Sequence, residues 1–101
     1  MPGFRATIPA RFTVLVDDAV SRVTRWDFEP GAETGFHRHG LAYVVVPMTD
    51  LDVLIEDASG ERRVQVAAGA AYAREAGVEH NVANGGETPM SFIEIEIKSA
   101  S

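Results

Sequence analysis

The sequence of 101 residues contains no cysteine. No disulfide can therefore cross-link the chain, and no thiolate can bind a metal ion or act as a nucleophile. The cellular compartment consequently cannot be inferred from cysteine usage.

Basic residues are also scarce, since nine Lys and Arg face fifteen Asp and Glu for a formal net charge of −6. This balance disfavours nucleic acids and anionic membranes as partners, because both require a basic surface. The longest apolar runs, such as residues 43–46, are far too short to span a membrane. The N-terminus lacks the basic and apolar segments of a signal peptide, so we expect a cytoplasmic protein.

What the chain does have is a length and composition typical of one globular unit. Apolar residues make up 46% and charged residues 24% of the sequence, which excludes a largely disordered chain. We therefore expect a single domain over residues 1–101.

Short segments rich in β-branched and aromatic residues alternate with turn residues such as Pro30-Gly31 and Asn84-Gly85-Gly86. We predict strands at residues 12–16, 20–28, 42–47, 51–56, 62–66, 80–84 and 91–98. No convincing amphipathic helix is present. Many short strands with frequent turns are typical of an all-β sandwich or barrel.

The last predicted strand has the clearest pattern. Isoleucines at 93, 95 and 97 alternate with charged residues at 94, 96 and 98, which predicts a strand with one buried face. Edge strands of a small β-protein are exposed unless the barrel closes on itself or the strands pair with another subunit. We expect a homodimer, with this strand and residues 12–16 as candidate pairing edges, and a monomer with a closed barrel is the alternative.

The only three histidines, His37, His39 and His80, are the candidate metal ligands. Residues i and i+2 of a strand point to the same side, so His37 and His39 can converge on one ion. A third imidazole from a neighbouring strand would complete a set of three nitrogens, and His80 is the remaining candidate. Each histidine alone could equally be an ordinary surface or core residue.

The glycines around these histidines resemble the first motif of the cupin family. That motif has a glycine, five residues, His-x-His, three or four residues, a glutamate, six residues and a glycine. Gly31, His37 and His39 match it at the correct spacing. Tyr43 stands in place of the glutamate, and Asp50 in place of the closing glycine.

The second motif of the family also has a counterpart. Gly69, Gly77, His80 and Asn84 fall at the family spacing, and Glu75 replaces the usual proline. The sequence is most similar to small single-domain cupins of the RmlC-like jelly-roll type, some of which are associated with β-alanine degradation.

The resemblance implies an all-β fold, a double-stranded antiparallel β-barrel that is often dimeric, with metal ligands pointing into its mouth. It implies one divalent metal ion (Fe, Mn, Ni, Co or Zn) held by His37, His39 and His80. Because three imidazoles leave the charge of the ion uncompensated, we expect a small anionic or chelating substrate. Iron-dependent dioxygenase chemistry and zinc-dependent hydrolysis or lyase chemistry both fit such a site.

Tyr43 is the candidate acid–base residue beside the metal, because a nearby cation would stabilise its phenolate. The alternative is a tyrosine that simply packs the barrel. Arg74 is a candidate clamp for a carboxylate, or else an exposed arginine. Trp26, Phe28, Phe36 and Phe92 are expected in the core or the pocket wall. A non-catalytic ligand-binding or sensor cupin, and a metal-independent isomerase, remain as alternative functions.

Overall fold

The computed structural model describes residues 8–98, and within this range all regular secondary structure is β-strand. The strands are β1 Ile8–Pro9, β2 Arg11–Asp17, β3 Ser21–Phe28, β4 Ala32–Glu33, β5 His37–Arg38, β6 Ala42–Pro47, β7 Leu51–Asp57, β8 Gly60–Val66, β9 Tyr72–Arg74, β10 Glu79–Asn84 and β11 Met90–Ile97. All seven predicted strands are confirmed. The strands that the sequence analysis missed, β1, β4, β5 and β9, contain only two or three residues each.

The strands form two sheets. The six-stranded sheet has the order β1-β4-β10-β7-β8, and β5 pairs with β10 beside this path. The five-stranded sheet has the order β2-β3-β11-β6-β9. All pairs except β1–β4 are antiparallel. The expected all-β, double-stranded antiparallel architecture is therefore confirmed. In the described part of the chain, no helix has the length and apolarity needed to cross a membrane.

A compact apolar cluster lies between the two sheets. Phe28 is 1% exposed, and its ring lies between those of Trp26 and Phe92, at centroid distances of 6.2 and 5.5 Å. The cluster also forms part of the wall of an interior cavity, through Val45, Val53 and Phe92. Core packing therefore holds this part of the cavity wall in place. Phe36 does not follow the expectation, because it is 60% exposed and belongs to neither.

In β11 the charged residues face the interior of the protein and the isoleucines face outward, which is the reverse of the usual arrangement. Glu94 and Glu96 line the interior cavity on the same face as the buried Phe92. Ile93, Ile95 and Ile97 consequently occupy the outer face of the sheet, and Ile97 is 50% exposed. The pattern predicted the strand correctly, but the isoleucine face is not the one that faces the interior.

The position of β11 corrects a second expectation. This strand lies between β3 and β6 in the middle of its sheet, so it is not a pairing edge. β2, the other candidate edge, does lie at the border of the sheet, and all seven of its residues are exposed.

Asn84, a position of the second motif, stabilises the turn that follows β10. Its side chain is buried, with 3% exposure. Its amide group donates hydrogen bonds to the carbonyl oxygens of Phe28 at 3.2 Å and Thr88 at 2.8 Å. Its amide oxygen accepts a hydrogen bond from the backbone N–H of Gly86 at 2.9 Å. One side chain therefore fixes the end of β3 against the turn between β10 and β11.

We predict that Asn84→Ala lowers the free energy of unfolding by about 2–3 kcal/mol, because it leaves buried backbone groups without partners. Chemical denaturation measures the change. Thr88→Ala, which removes only an exposed side chain, is the control and should change stability by less than about 0.5 kcal/mol. Equal effects of the two substitutions would contradict the role of the Asn84 amide.

Candidate metal centre

The pairing of β5 with β10 brings two of the three histidines together. His37 and His80 are direct partners in the antiparallel register. Direct partners have their side chains on the same face of the sheet, with Cβ atoms about 4.5–5.5 Å apart. Residues 43 positions apart in the sequence are thus adjacent in space because of this short ladder.

Backbone hydrogen bonds hold His39 in place just beyond the end of β5. Its N–H donates to the carbonyl oxygen of Val78 at 2.8 Å, and its carbonyl oxygen accepts from the N–H of Gly77 at 2.8 Å. Gly77 has a φ of 103°, in the region that favours glycine, so this residue allows the tight turn before β10. The two sequence motifs are therefore joined through their backbones at the site.

The three imidazoles meet at their Nε2 atoms. The Nε2 of His39 lies 2.9 Å from that of His37 and 3.1 Å from that of His80. The three rings also contact one another edge to face, with ring planes inclined by 74°, 69° and 87°. The structure thus brings together all three predicted ligands, and their nitrogen atoms form a group that could hold a metal ion.

The spacing of these nitrogens fits a divalent metal ion. Two nitrogens that each lie about 2.1 Å from an ion at right angles are separated by about 3.0 Å, whereas tetrahedral coordination separates them by about 3.4 Å. The separations of 2.9 and 3.1 Å between Nε2 of His39 and those of the other two rings match the right-angled arrangement. Three imidazoles on one face of an octahedron would leave three neighbouring positions for other ligands.

The protonation of the histidines also suits metal binding. The Nδ1 of His37 lies 2.9 Å from the carbonyl oxygen of Gly35, which can only accept, so Nδ1 carries the proton and Nε2 offers its lone pair. Burial, reinforced by the neighbouring histidines, lowers the pKa of His39 to about 4. Burial and the charge of His37 likewise lower the pKa of His80 to about 4. Both rings are therefore neutral near pH 7.

Two residues that the sequence analysis did not identify position the loop before His37. The Thr34 hydroxyl lies 3.2 Å from Nδ1 of His37 and accepts a hydrogen bond from the N–H of Val82 at 3.2 Å. The Asn81 amide oxygen accepts a hydrogen bond from the N–H of Gly35 at 3.0 Å. Such outer partners fix the orientation of metal-binding histidines. Asn81 directly follows His80, which is the one signal in the sequence that could have pointed to it.

Tyr43 lies against the candidate ligands. Its ring stacks on that of His39, with centroids 4.0 Å apart and planes inclined by 21°, and the residue is 3% exposed. Burial raises the pKa of Tyr43 to about 12. A neutral phenol is a poor ligand for a divalent ion, so an ion held here would be bound by the three imidazoles without it. The role of Tyr43 in proton transfer stays a prediction.

The histidines open into a cavity of about 860 Å³ between the two sheets. Charged residues line it on several strands, namely Arg22, Arg38, Asp57, Arg62, Arg74, Glu79, Glu94 and Glu96. Arg62 and Asp57 form an ion pair at 2.6 Å. The guanidinium group of Arg74 lies over the ring of Tyr72, 4.7 Å from its centroid. Glu75 is exposed and does not line the cavity.

Comparison with characterised sequences and structures identifies relatives. The chain matches no protein-family model. It is 56% identical over 98 residues to the β-alanine degradation protein BauB of Pseudomonas aeruginosa, a match that covers 97% of this chain and 100% of that protein.

Solved structures also include relatives of this chain. A cupin domain from Bordetella pertussis is 46% identical and superposes with a TM-score of 0.92, over 95% of this chain and 100% of that one. An RmlC-like cupin with a double-stranded β-helix fold from Methanocaldococcus jannaschii shares the fold at 11% identity and a TM-score of 0.73, over 94% of this chain and 85% of that one. The predicted resemblance is confirmed, and the chain belongs to the cupin superfamily.

Proposed function

We propose that this chain is a metal-dependent enzyme that holds one divalent ion through His37, His39 and His80 and acts on a small anionic or chelating molecule. The observation that carries this proposal is the close approach of three imidazoles, with Nε2 of His39 2.9 Å from that of His37 and 3.1 Å from that of His80, at the wall of a cavity of about 860 Å³. Cavities of this size suit small molecules.

The chemistry of the three ligands favours an anionic substrate. Three neutral imidazoles leave the full charge of the ion uncompensated, and their arrangement on one face leaves neighbouring positions for a chelating molecule. When bound there, iron would supply oxidation with O₂, and the other candidate ions (Mn, Co, Ni or Zn) would supply Lewis-acid catalysis. We therefore favour dioxygenase-like or lyase-like reactions. The name of the Pseudomonas relative, which refers to β-alanine degradation, supports a small substrate rather than a macromolecule.

The second candidate is a ligand-binding or sensor protein without catalytic activity. The observation that favours it is the environment of Tyr43, whose pKa is raised by burial rather than lowered. A phenol in this state does not take up a proton near pH 7. A bound metal ion beside it would act in the opposite direction and stabilise the phenolate.

We also propose a homodimer, formed through the outer face of the five-stranded sheet. One row of the sheet runs through Val16, Val23, Ile95, Val44 and Ala73 on successive strands, as given by the register of the pairs. None of these five side chains carries a charge. Because the chain has a net charge of −6, which opposes self-association, an uncharged row is the part of the surface where two copies repel each other least. Apolar patches of this kind are uncommon on monomers, and a second copy of the same face is a matching partner.

Elemental analysis of protein purified anaerobically without an affinity tag tests the metal site. We expect about one divalent ion per chain, and a stabilisation of about 2.7 kcal/mol when the ion is present at 100 times its dissociation constant. His80→Gln should lose the ion, whereas Tyr72→Phe, a control in the same cavity that retains all three imidazoles, should keep it. Substoichiometric metal with no stabilisation by Fe, Mn, Co, Ni or Zn would overturn the proposal. Oxygen consumption with a panel of thiols, diketones and carboxylates then distinguishes the oxidative reactions from the others.

For Tyr43, we predict that Tyr43→Phe lowers turnover by about 10²–10⁴-fold while the metal content stays unchanged, as expected on loss of a general acid or base. The measurement compares kcat with the amount of bound metal in the same sample. Unchanged turnover in this variant would exclude the tyrosine from the reaction.

Sedimentation equilibrium tests the dimer. The wild-type protein should sediment at twice the chain mass of 10.9 kDa. Ile97→Glu adds a charge to the outer face at a half-exposed position that a folded monomer tolerates, and it should shift the mass to that of one chain. Ala58→Glu places the same charge on the exposed hairpin between β7 and β8 and should leave the dimer intact. A monomeric wild type, or a dimer that is indifferent to Ile97→Glu, would contradict the proposed interface.

A further inference from the structure

The inner face of β11 carries two carboxylates that the metal centre does not use. Glu94 and Glu96 line the cavity, and a carboxylate oxygen of each lies within 4.8 Å of the other and of an imidazole nitrogen of His39. Within residues 8–98, neither carboxylate forms a salt bridge. Two partly buried carboxyl groups thus share one wall of the cavity, next to Arg22, which is the register partner of Glu96 on β3.

With both carboxyl groups ionised, this arrangement is electrostatically unfavourable unless a cation lies between them. Burial, followed by the charge of Glu96, raises the pKa of Glu94 to about 7, so this group is partly protonated near pH 7, and the charge of Arg22 offsets the rise only in part. The indole N–H of Trp26, which also lines the cavity, is buried without a hydrogen-bond partner of ordinary geometry and lies near enough to Glu94 to stabilise its ionised form. A positively charged group between the two carboxylates would relieve their repulsion.

β9, which pairs with β6 on the side away from β11, carries a positively charged residue. Arg74 is the register partner of Tyr43 on β9, lines the same cavity and contributes its charge to lowering the pKa of His80. No carboxylate among the described residues forms an ion pair with Arg74. A guanidinium group held over an aromatic ring can bind a carboxylate in bidentate fashion.

We infer that the cavity binds a small zwitterion, whose ammonium group lies between Glu94 and Glu96 and whose anionic end lies at the three histidines and Arg74. This inference rests on the proposed metal site and adds the substrate class, an amino-substituted acid. It also refines the expectation of a purely anionic ligand, because the wall formed by β11 would repel a second negative group.

A second metal ion is the competing occupant of the carboxylate pair. The third group beside the pair is His39, whose Nε2 lies 2.9 and 3.1 Å from the Nε2 atoms of the other two histidines. A ring that binds one ion through Nε2 could bind a second through Nδ1 only after losing its remaining ring proton. An ammonium group needs no third ligand of this kind, because it can donate hydrogen bonds directly to both carboxylates. The geometry therefore favours the organic cation.

Calorimetric titration of the metal-loaded protein with three matched probes tests the inference: 3-aminopropanoate, propanoate without the amine, and propylammonium without the carboxylate. Glycine, acetate and methylammonium form a shorter series. We expect at least one zwitterion to bind the wild type at least about tenfold more tightly than its anionic analogue. The double variant Glu94→Gln/Glu96→Gln should lose this preference but keep or improve binding of the anion. Glu61→Gln, an exposed glutamate on β8 outside the cavity, should behave as the wild type.

Metal content, measured on the same samples, separates this inference from the proposed function. Metal absent from the wild type refutes the metal site itself. Metal present, with no zwitterion bound or with equal affinity for zwitterion and anion, refutes the substrate class alone. A second equivalent of metal that disappears in the double variant assigns the carboxylates to an ion and also overturns the inference. Thermal unfolding of the variants establishes that each is folded.

Discussion

The site depends on a two-residue ladder between β5 and β10. It sets His37 directly opposite His80, and the backbone hydrogen bonds from His39 to Val78 and Gly77 add the third ring. A slip of one residue in this register would turn one imidazole to the other face of the sheet. Strand pairing therefore brings the three rings together. The histidine side chains alone could not produce this arrangement.

Holding three imidazoles this close has an energetic consequence. Burial disfavours the charged forms of His39 and His80, so these two rings remain neutral well below their usual pKa. The hydrogen bond from Nδ1 of His37 to Gly35 fixes the tautomer that exposes Nε2. The fold thus preorganises three lone pairs around one point, and an ion placed there would be bound at little cost in reorganisation.

The inverted polarity of β11 connects the proposed ligand site with the proposed dimer. On β11, the carboxylates of Glu94 and Glu96 face the cavity, while Ile93, Ile95 and Ile97 face outward. A carboxylate placed inside a small barrel has a stability cost that ordinary packing does not require, which supports the proposed role in ligand recognition. The outward isoleucines of β11 correspondingly support the proposed contact with a second copy of the chain. One alternating strand thereby serves two proposed functions on its two faces.

Sequence reasoning predicted the long strands and the three histidines, because period-two alternation and motif spacing are local properties of the chain. It assigned the buried face of β11 incorrectly, because alternation gives two faces but not which one encloses a cavity. It placed β11 at an edge, because strand order depends on pairing across the sheet. It missed β5, whose two residues are too few for a pattern, and it missed Thr34 and Asn81, whose importance lies in contacts between segments distant in sequence.

The central claim is that three imidazoles from two separate segments bind one ion. X-ray absorption spectroscopy of the metal-loaded protein tests this most directly, because the imidazole ring gives a characteristic multiple-scattering signal. The account predicts three imidazole nitrogens at about 2.1 Å within a shell of six nitrogen and oxygen ligands. A shell with one imidazole or none would contradict it.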